Sequence, residues 1–254
     1  MAATVKLLAF TLFSLVWLIW SAALAAADFS IAELDSKQLV IVITDNENAI
    51  TGRLSTFTKG KQKQWHRHDI GTQVVVGRTG TAWGKGLHPA QQGPQKLEGD
   101  GKAPAGIFRL GDAFGYFKQL NTALNYSMMT ADDYCIDINK SPLYNQIVSK
   151  QQVGQGAVEG SSEPMRRDIH KKDNLYKKGI IVHHNPNNIS GQGSCIFMHL
   201  WRSAQKPTAG CTAMTEEAMD ALLQWLDASK KPLLITLTTA DYMRLKDTWQ
   251  LPQL

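Results

Sequence analysis

The rhythm of strand and turn signals is what most constrains this chain. Gln38–Thr44 is a β-branched run stopped by Asp45-Asn46-Glu47-Asn48, which predicts a strand and a turn. Residues 52–58 alternate loosely and lead into Lys59-Gly60-Lys61, a hairpin tip. Trp65 and residues 72–77 continue the pattern, and 107–110, 179–185 and Leu233–Thr238 add further short apolar runs. Turn signals at such short intervals predict an antiparallel sandwich or barrel rather than alternating strand–helix units. The expected fold class is mainly β with a few helices.

Residues 1–27 hold one basic residue, Lys6, then an apolar run from Leu7 through Trp20, then Ser21-Ala22-Ala23-Leu24-Ala25-Ala26-Ala27. These are the parts of a secretory signal peptide, with cleavage after Ala25 or after Ala27. The run is short for a bilayer span, so no stable membrane insertion is expected after cleavage. Residues 28–254 are then expected to work as one domain in the periplasm or exported to the cell envelope. The chain is 43% apolar, enough for one globular core. Losing Lys6 with the leader lowers the net charge from +5 to +4. That excess suits an anionic wall polymer and supports no inference of nucleic acid. Three cysteines in an oxidising compartment leave one unpaired; Cys135 with Cys195 is one of three pairings, and it would leave Cys211 free.

Chemistry concentrates between Gly193 and Met214. The stretch Gly193-Ser194-Cys195-Ile196-Phe197-Met198-His199 reads as a buried strand that carries His199 to a rim. A polar loop with Pro207 turns back, and Gly210 permits a tight bend just before Cys211. Thr215 fits an N-cap for a helix starting near Glu216, whose positive end would favour a Cys211 thiolate provided the turn points that way. A His and a Cys delivered by adjacent elements are the minimum for thiol nucleophilic catalysis. Beyond them, Ala218, Met219, Leu222, Leu223 and Leu226 fall on one helical face, a core stripe, and Lys230-Lys231-Pro232 is expected to end that helix.

Other candidate motifs read as structure. Gly99-Asp100-Gly101-Lys102-Ala103-Pro104 lacks the G-K-[ST] ending of a phosphate loop and predicts a sharp turn into a strand. Asp132, Asp133 and Asp137 lack a His at ligand spacing and predict a solvated loop. His183 and His184 are adjacent, so on a strand they face opposite sides. A zinc site of His184, His199 and Cys211 is the remaining metal arrangement, and no C-x-x-C or H-x-x-x-H companion supports it.

Together these residues resemble the L,D-transpeptidase (YkuD-like) catalytic domain of bacterial cell-wall enzymes, in the branch with a G-S-x-I-F-x-H strand followed by P-T-A-G-C. Here those motifs are Gly193-Ser194-Cys195-Ile196-Phe197-Met198-His199 and Pro207-Thr208-Ala209-Gly210-Cys211. The segment from Gly99 to Phe108 is similar to the family's G-D-G-x-x-P-x-G-x-F, and the pieces around Cys135 and Tyr144 to its middle region. The resemblance implies a β-sandwich-like catalytic domain over residues 28–254, needing no cofactor or metal. It implies that Cys211 attacks the carbonyl after the third residue of a peptidoglycan stem peptide. The terminal D-amino acid leaves, and an amine or water resolves the thioester. His199 would be base and then acid, and backbone N–H groups around Gly210 and Cys211 would hold the oxyanion.

The better-known branch has S/T-H-G-C and an Arg soon after the Cys, and this chain has neither. Arg202 is the expected substitute for holding the stem carboxylate. Thr208 and His184 complete the expected substrate-binding set. The reading is thus a cysteine acyltransferase of L,D-transpeptidase type. The alternatives are an L,D-carboxypeptidase or a non-catalytic wall-binding module of the same fold.

Overall fold

The computed structural model describes residues 29–254, so the expected signal peptide lies outside the described residues. The chain enters β1 (Gln38–Thr44), turns into β2 (Thr51–Lys59) and returns as β3 (Trp65–Val75). Where the sequence suggests two pieces around Trp65 and 72–77, β3 is one strand. A register shift opposite Ser55 and Thr56 accommodates its extra residues. Next come β4 (Thr81–Trp83), the thirteen-residue β5 (Ala103–Gly115) and β6 (Tyr126–Met128).

A small side sheet follows, made of β7 (Asp133–Cys135), β8 (Ile147–Ser149) and β9 (Glu163–Pro164). Single helical turns α1 (Lys150–Val153) and α2 (Gln155–Val158) lie between β8 and β9, and α3 (Arg167–His170) follows β9. The main sheet resumes with β10 (Lys178–Val182), β11 (Phe197–Leu200) and β12 (Thr212–Met214). Helix α4 (Glu216–Trp225), β13 (Leu233–Thr238) and α5 (Thr239–Leu245) complete the order.

The main sheet runs β10-β11-β12-β3-β2-β1-β13-β5-β4, and β5 also pairs with β10, so eight strands close on themselves. The sheet is mixed, which corrects the antiparallel expectation. β1 pairs parallel with β13, and β11 parallel with β12, because each pair is joined through long connections rather than hairpins.

Strand alternation splits the core in two. Val40 and Val42 point into a cluster with Leu54, Val74, Phe108, Met198 and, from α4, Met219, Leu222 and Leu223. Leu39 and Ile41 point the other way, packing with Phe57, Ile235, Leu237 and, from α5, Tyr242 and Leu245. β1 is therefore covered on both faces, which is why its sequence is a continuous apolar run. Each fully buried Val, Leu or Ile side chain contributes about 1.5–3 kcal/mol.

Helix α4 starts as expected, with the Thr215 hydroxyl accepting the Ala218 N–H. It ends at Trp225, short of Lys230, because buried Gln38 terminates it. The Gln38 amide donates to the Trp225 carbonyl at 2.7 Å and accepts the Asp227 N–H at 2.9 Å. A 3-10 turn at Ala228–Lys230 then leads to β13.

A third cluster, including Phe114, Cys135, Met165, Tyr176, Cys195, Phe197 and Cys211, joins the side sheet to the main one. The Cys135–Cys195 disulfide crosses it with Cα atoms 5.9 Å apart, leaving Cys211 free. Of the three possible pairings, this is the one formed. The reactive stretch therefore sits where the two sheets meet.

Candidate active site

β11 and β12 set Met198 beside Thr212 and His199 beside Ala213. Continuing that register backwards brings Cys211 beside Phe197, whose N–H donates to Cys211 Sγ at 3.3 Å. Side chains two apart along a strand share a face. His199 and Cys211 accordingly line one cleft of about 100 Å³, with Glu163, Arg167, Tyr176 and Arg202 around them.

The bend before the thiol is held by Thr208. Its hydroxyl donates to the Cys211 carbonyl at 2.6 Å and accepts the Gly210 N–H at 3.1 Å. Position 210 has to be glycine for close approach: a Cβ there would stand 2.9 Å from the Lys102 carbonyl oxygen. The Cys211 S–H is directed to the Cys195 carbonyl at 3.5 Å. Only 7% of Cys211 is exposed, and burial pushes its thiol up to about 12. The Glu163 charge pushes the same way, while the Phe197 N–H, Lys96 and Arg167 oppose it. This corrects the expectation of a helix-stabilised thiolate. Strand β12 and the Thr215 cap separate Cys211 from α4, and the resting sulfur is a neutral thiol.

His199 Nδ1 lies 2.7 Å from the Leu200 carbonyl. A carbonyl only accepts, so the proton of the neutral ring is on Nδ1 and Nε2 is bare. Burial lowers the imidazole to about 4, so it is neutral at pH 7. The Tyr176 ring packs edge-on against it, centroids 5.2 Å apart. A neutral thiol and an imidazole with a bare Nε2 share the cleft, an arrangement suited to proton transfer during attack. Cys211 also lines a second cleft of about 240 Å³, with Arg78, Lys96, Glu98, Asp137, Ser194 and, again, Glu163 among its walls.

A family model for the L,D-transpeptidase catalytic domain, YkuD, matches residues 31–235. The chain belongs to that family. The mostly β architecture with its large mixed sheet agrees with a β-sandwich domain of this L,D-transpeptidase family. Membership brings L,D-transpeptidase-type catalysis in general, with peptidoglycan stem peptides as the substrate class. No curated protein and no solved structure gives a significant match to the chain. Among the described residues, no helix is long and apolar enough to cross a membrane.

Two of the substrate-binding residues expected of this L,D-transpeptidase-family chain are committed elsewhere. His184 lines neither cleft: its Nδ1 accepts the Lys85 N–H at 3.2 Å and its Nε2 bonds the Gln192 carbonyl at 2.9 Å. With both ring nitrogens used, it ties two loops together and has no lone pair for zinc. Among the described residues no group of three His, Cys, Asp or Glu side chains is placed to hold a metal ion. Thr208 lines the His199 cleft, but its hydroxyl is spent inside the turn.

Arg202 is at the rim, its side chain 52% exposed and 3.1 Å from Asp173. Asp173 is already gripped by Arg167 through two hydrogen bonds of 2.8 and 2.7 Å. Arg167, Glu163 and Tyr176 are the cleft residues that sequence reasoning missed. They sit in a charged stretch that reads as surface, and only tertiary packing brings them to Cys211. The three middle carboxylates do not lie in a solvated loop as expected: Asp133 opens strand β7, and all three are half-buried and separately engaged. Asp132 pairs with Lys150, Asp133 caps Thr130, and Asp137 accepts from Ser162.

Two buried histidines give the fold a defined pH response. Burial lowers both His184 and His199 to about 4, below an unfolded histidine near 6.5. The stability from keeping them neutral is fully present above pH 6.5 and is lost as pH falls through about 4, roughly 3 kcal/mol for each ring. The melting temperature should therefore drop steeply from pH 6.5 to 4, and His199→Gln should flatten part of that slope. A melting temperature that stays constant over this range contradicts neutral burial.

Proposed function

We propose that the protein is an exported cysteine acyltransferase that cleaves peptidoglycan stem peptides after their third residue and passes the acyl group to an amine. The carrying observation is that Cys211, the free thiol, shares one cleft with His199, whose Nε2 is bare, and also lines a second cleft. Residues 28–254 act as one catalytic unit. In the first half-reaction the Cys211 proton turns from the Cys195 carbonyl to His199 Nε2 as sulfur attacks. His199 then protonates the departing D-amino acid. Of the two N–H groups at Gly210 and Cys211, that of Gly210 is taken by Thr208, which leaves the Cys211 N–H to hold the oxyanion.

The His199 side of the thiol carries Arg167, Arg202 and Lys206, whose positive charge suits the terminal carboxylate of the donor stem. The second cleft gives an acceptor its own approach to the thioester, and this favours transfer over hydrolysis. Incubation with purified tetrapeptide stems, followed by mass spectrometry of the products, tests the reading. Cross-linked dimers and released D-amino acid are expected. Free tripeptides alone indicate a carboxypeptidase, and unchanged stems retained on the protein indicate a wall-binding module.

A further inference from the structure

One carboxylate near the nucleophile has no use in thiol attack. Glu163, on β9, lines both clefts beside Cys211, and its side chain is 21% exposed. The backbone holds it opposite Cys135, whose disulfide to Cys195 ties this strand to the reactive segment. Its Oε2 accepts the Tyr176 hydroxyl at 2.6 Å and stands 3.9 Å from Arg167. Its Oε1 carries no hydrogen bond among the described residues. The other carboxylates of the second cleft are engaged: Glu98 accepts from Tyr144, Ser194 and Gly99, and Asp137 from Ser162 through both oxygens.

A negative charge at this place opposes formation of a Cys211 thiolate, so it hinders the first half-reaction. The second half-reaction has the opposite need. Its entering nucleophile is an amine, which arrives in neutral water as an ammonium ion and attacks only after losing a proton.

We propose that the free oxygen of Glu163 receives the acceptor ammonium beside the thioester and takes its first proton. This rests on the transfer reading above. The acceptor nitrogen then bonds to the thioester carbonyl carbon and its second proton passes to His199 Nε2. The carbon–sulfur bond breaks, and the departing sulfur recovers that proton from His199. Glu163 returns its own proton to solvent, so one ammonium and one thioester give one amide, one thiol and one proton. Burial raises the Glu163 carboxyl above its ordinary range, against the opposing Tyr176 hydrogen bond and the charges of Arg167 and Lys171, with Asp137 adding to the rise. A weaker acid of this kind is a better proton acceptor.

The test is Glu163→Gln, which removes the charge and keeps an acceptor for the Tyr176 hydroxyl. Acyl loading of Cys211 by tetrapeptide stems is followed by intact mass, and transfer is measured to two acceptors. One is a stem-peptide amine; the other is hydroxylamine, which is neutral at neutral pH. Transfer to the stem amine should fall at least about tenfold while transfer to hydroxylamine changes less than about twofold, and acyl loading, relieved of the opposing charge, should hold or rise. Equal loss with both acceptors, or loss of loading in parallel with transfer, overturns the inference. If Glu163→Gln does not fold, Glu163→Asp, whose carboxylate is withdrawn by one methylene, should show the same selective loss. A wild-type protein that never loads an acyl group refutes the transfer reading itself, a result distinct from either of these.

Discussion

Cys211→Ala is expected to lower release of the terminal D-amino acid from tetrapeptide stems by at least about ten-thousandfold. The protein should stay folded. The substitution removes one sulfur and its two weak hydrogen bonds, to the Phe197 N–H and the Cys195 carbonyl, at a cost of roughly 1–2 kcal/mol. The turn itself is held by Thr208, by Gly210 and by the pairing of β11 with β12, none of which needs the thiol. Loss of rate with near-normal melting separates a nucleophile from a packing residue. A buried thiol of purely structural role would give the reverse, a lower melting temperature with activity kept. Assay of the purified variant beside a thermal melt distinguishes the two.

The second large effect is on stability. Replacing Cys135 and Cys195 together by serine opens a bridge between residues 60 apart in sequence. The loop entropy that such a bridge removes from the unfolded chain is worth about 4 kcal/mol at 25 °C. For a protein of this size that corresponds to a fall in melting temperature of roughly 8–16 °C. Activity should fall further than stability alone explains. The bridge fixes Cys195, whose carbonyl holds the resting Cys211 S–H, and it anchors the side sheet that carries Glu163. Thermal melts and activity at a temperature where both proteins are folded check the two parts separately. An unchanged melting temperature would mean that the bridge carries no stability.

Parts of this structure are written locally and parts are not. β1 and β13 have the bounds that their apolar runs predict, because both faces of each strand are buried and polar residues end both runs. The start of α4 was legible in Thr215, a local cap. Its end was not, since Gln38 stops it from the far end of the chain. β3 merged because half of it is a polar, largely solvent-facing strand whose pairing with β2, rather than its own pattern, makes it a strand. Helix α5 depends on packing against the Leu39 and Ile41 face.

The site divides in the same way. His199 and Cys211 could be paired from sequence because a strand and a Gly turn carry them a short distance apart. Thr208 and His184 have the right chemistry near the right place, but hydrogen bonding consumes their polar atoms, and sequence does not display that. Glu163 and Arg167 reach the cleft through the side sheet and the turn that follows it, and Tyr176 from the segment just before β10. The protonation state of the thiol is illegible in the sequence for the same reason. A helix start is visible in sequence, whereas the burial that outweighs it is a property of the assembled fold.

The decisive measurement is intact-protein mass spectrometry with peptide mapping, after brief mixing with purified tetrapeptide stems and no acceptor. An added mass equal to the tripeptide acyl group, located on Cys211 and absent from Cys211→Ala, is the expected result. Release of the D-amino acid with no covalent adduct at any time, or with an adduct on another side chain, would contradict a thioester at Cys211.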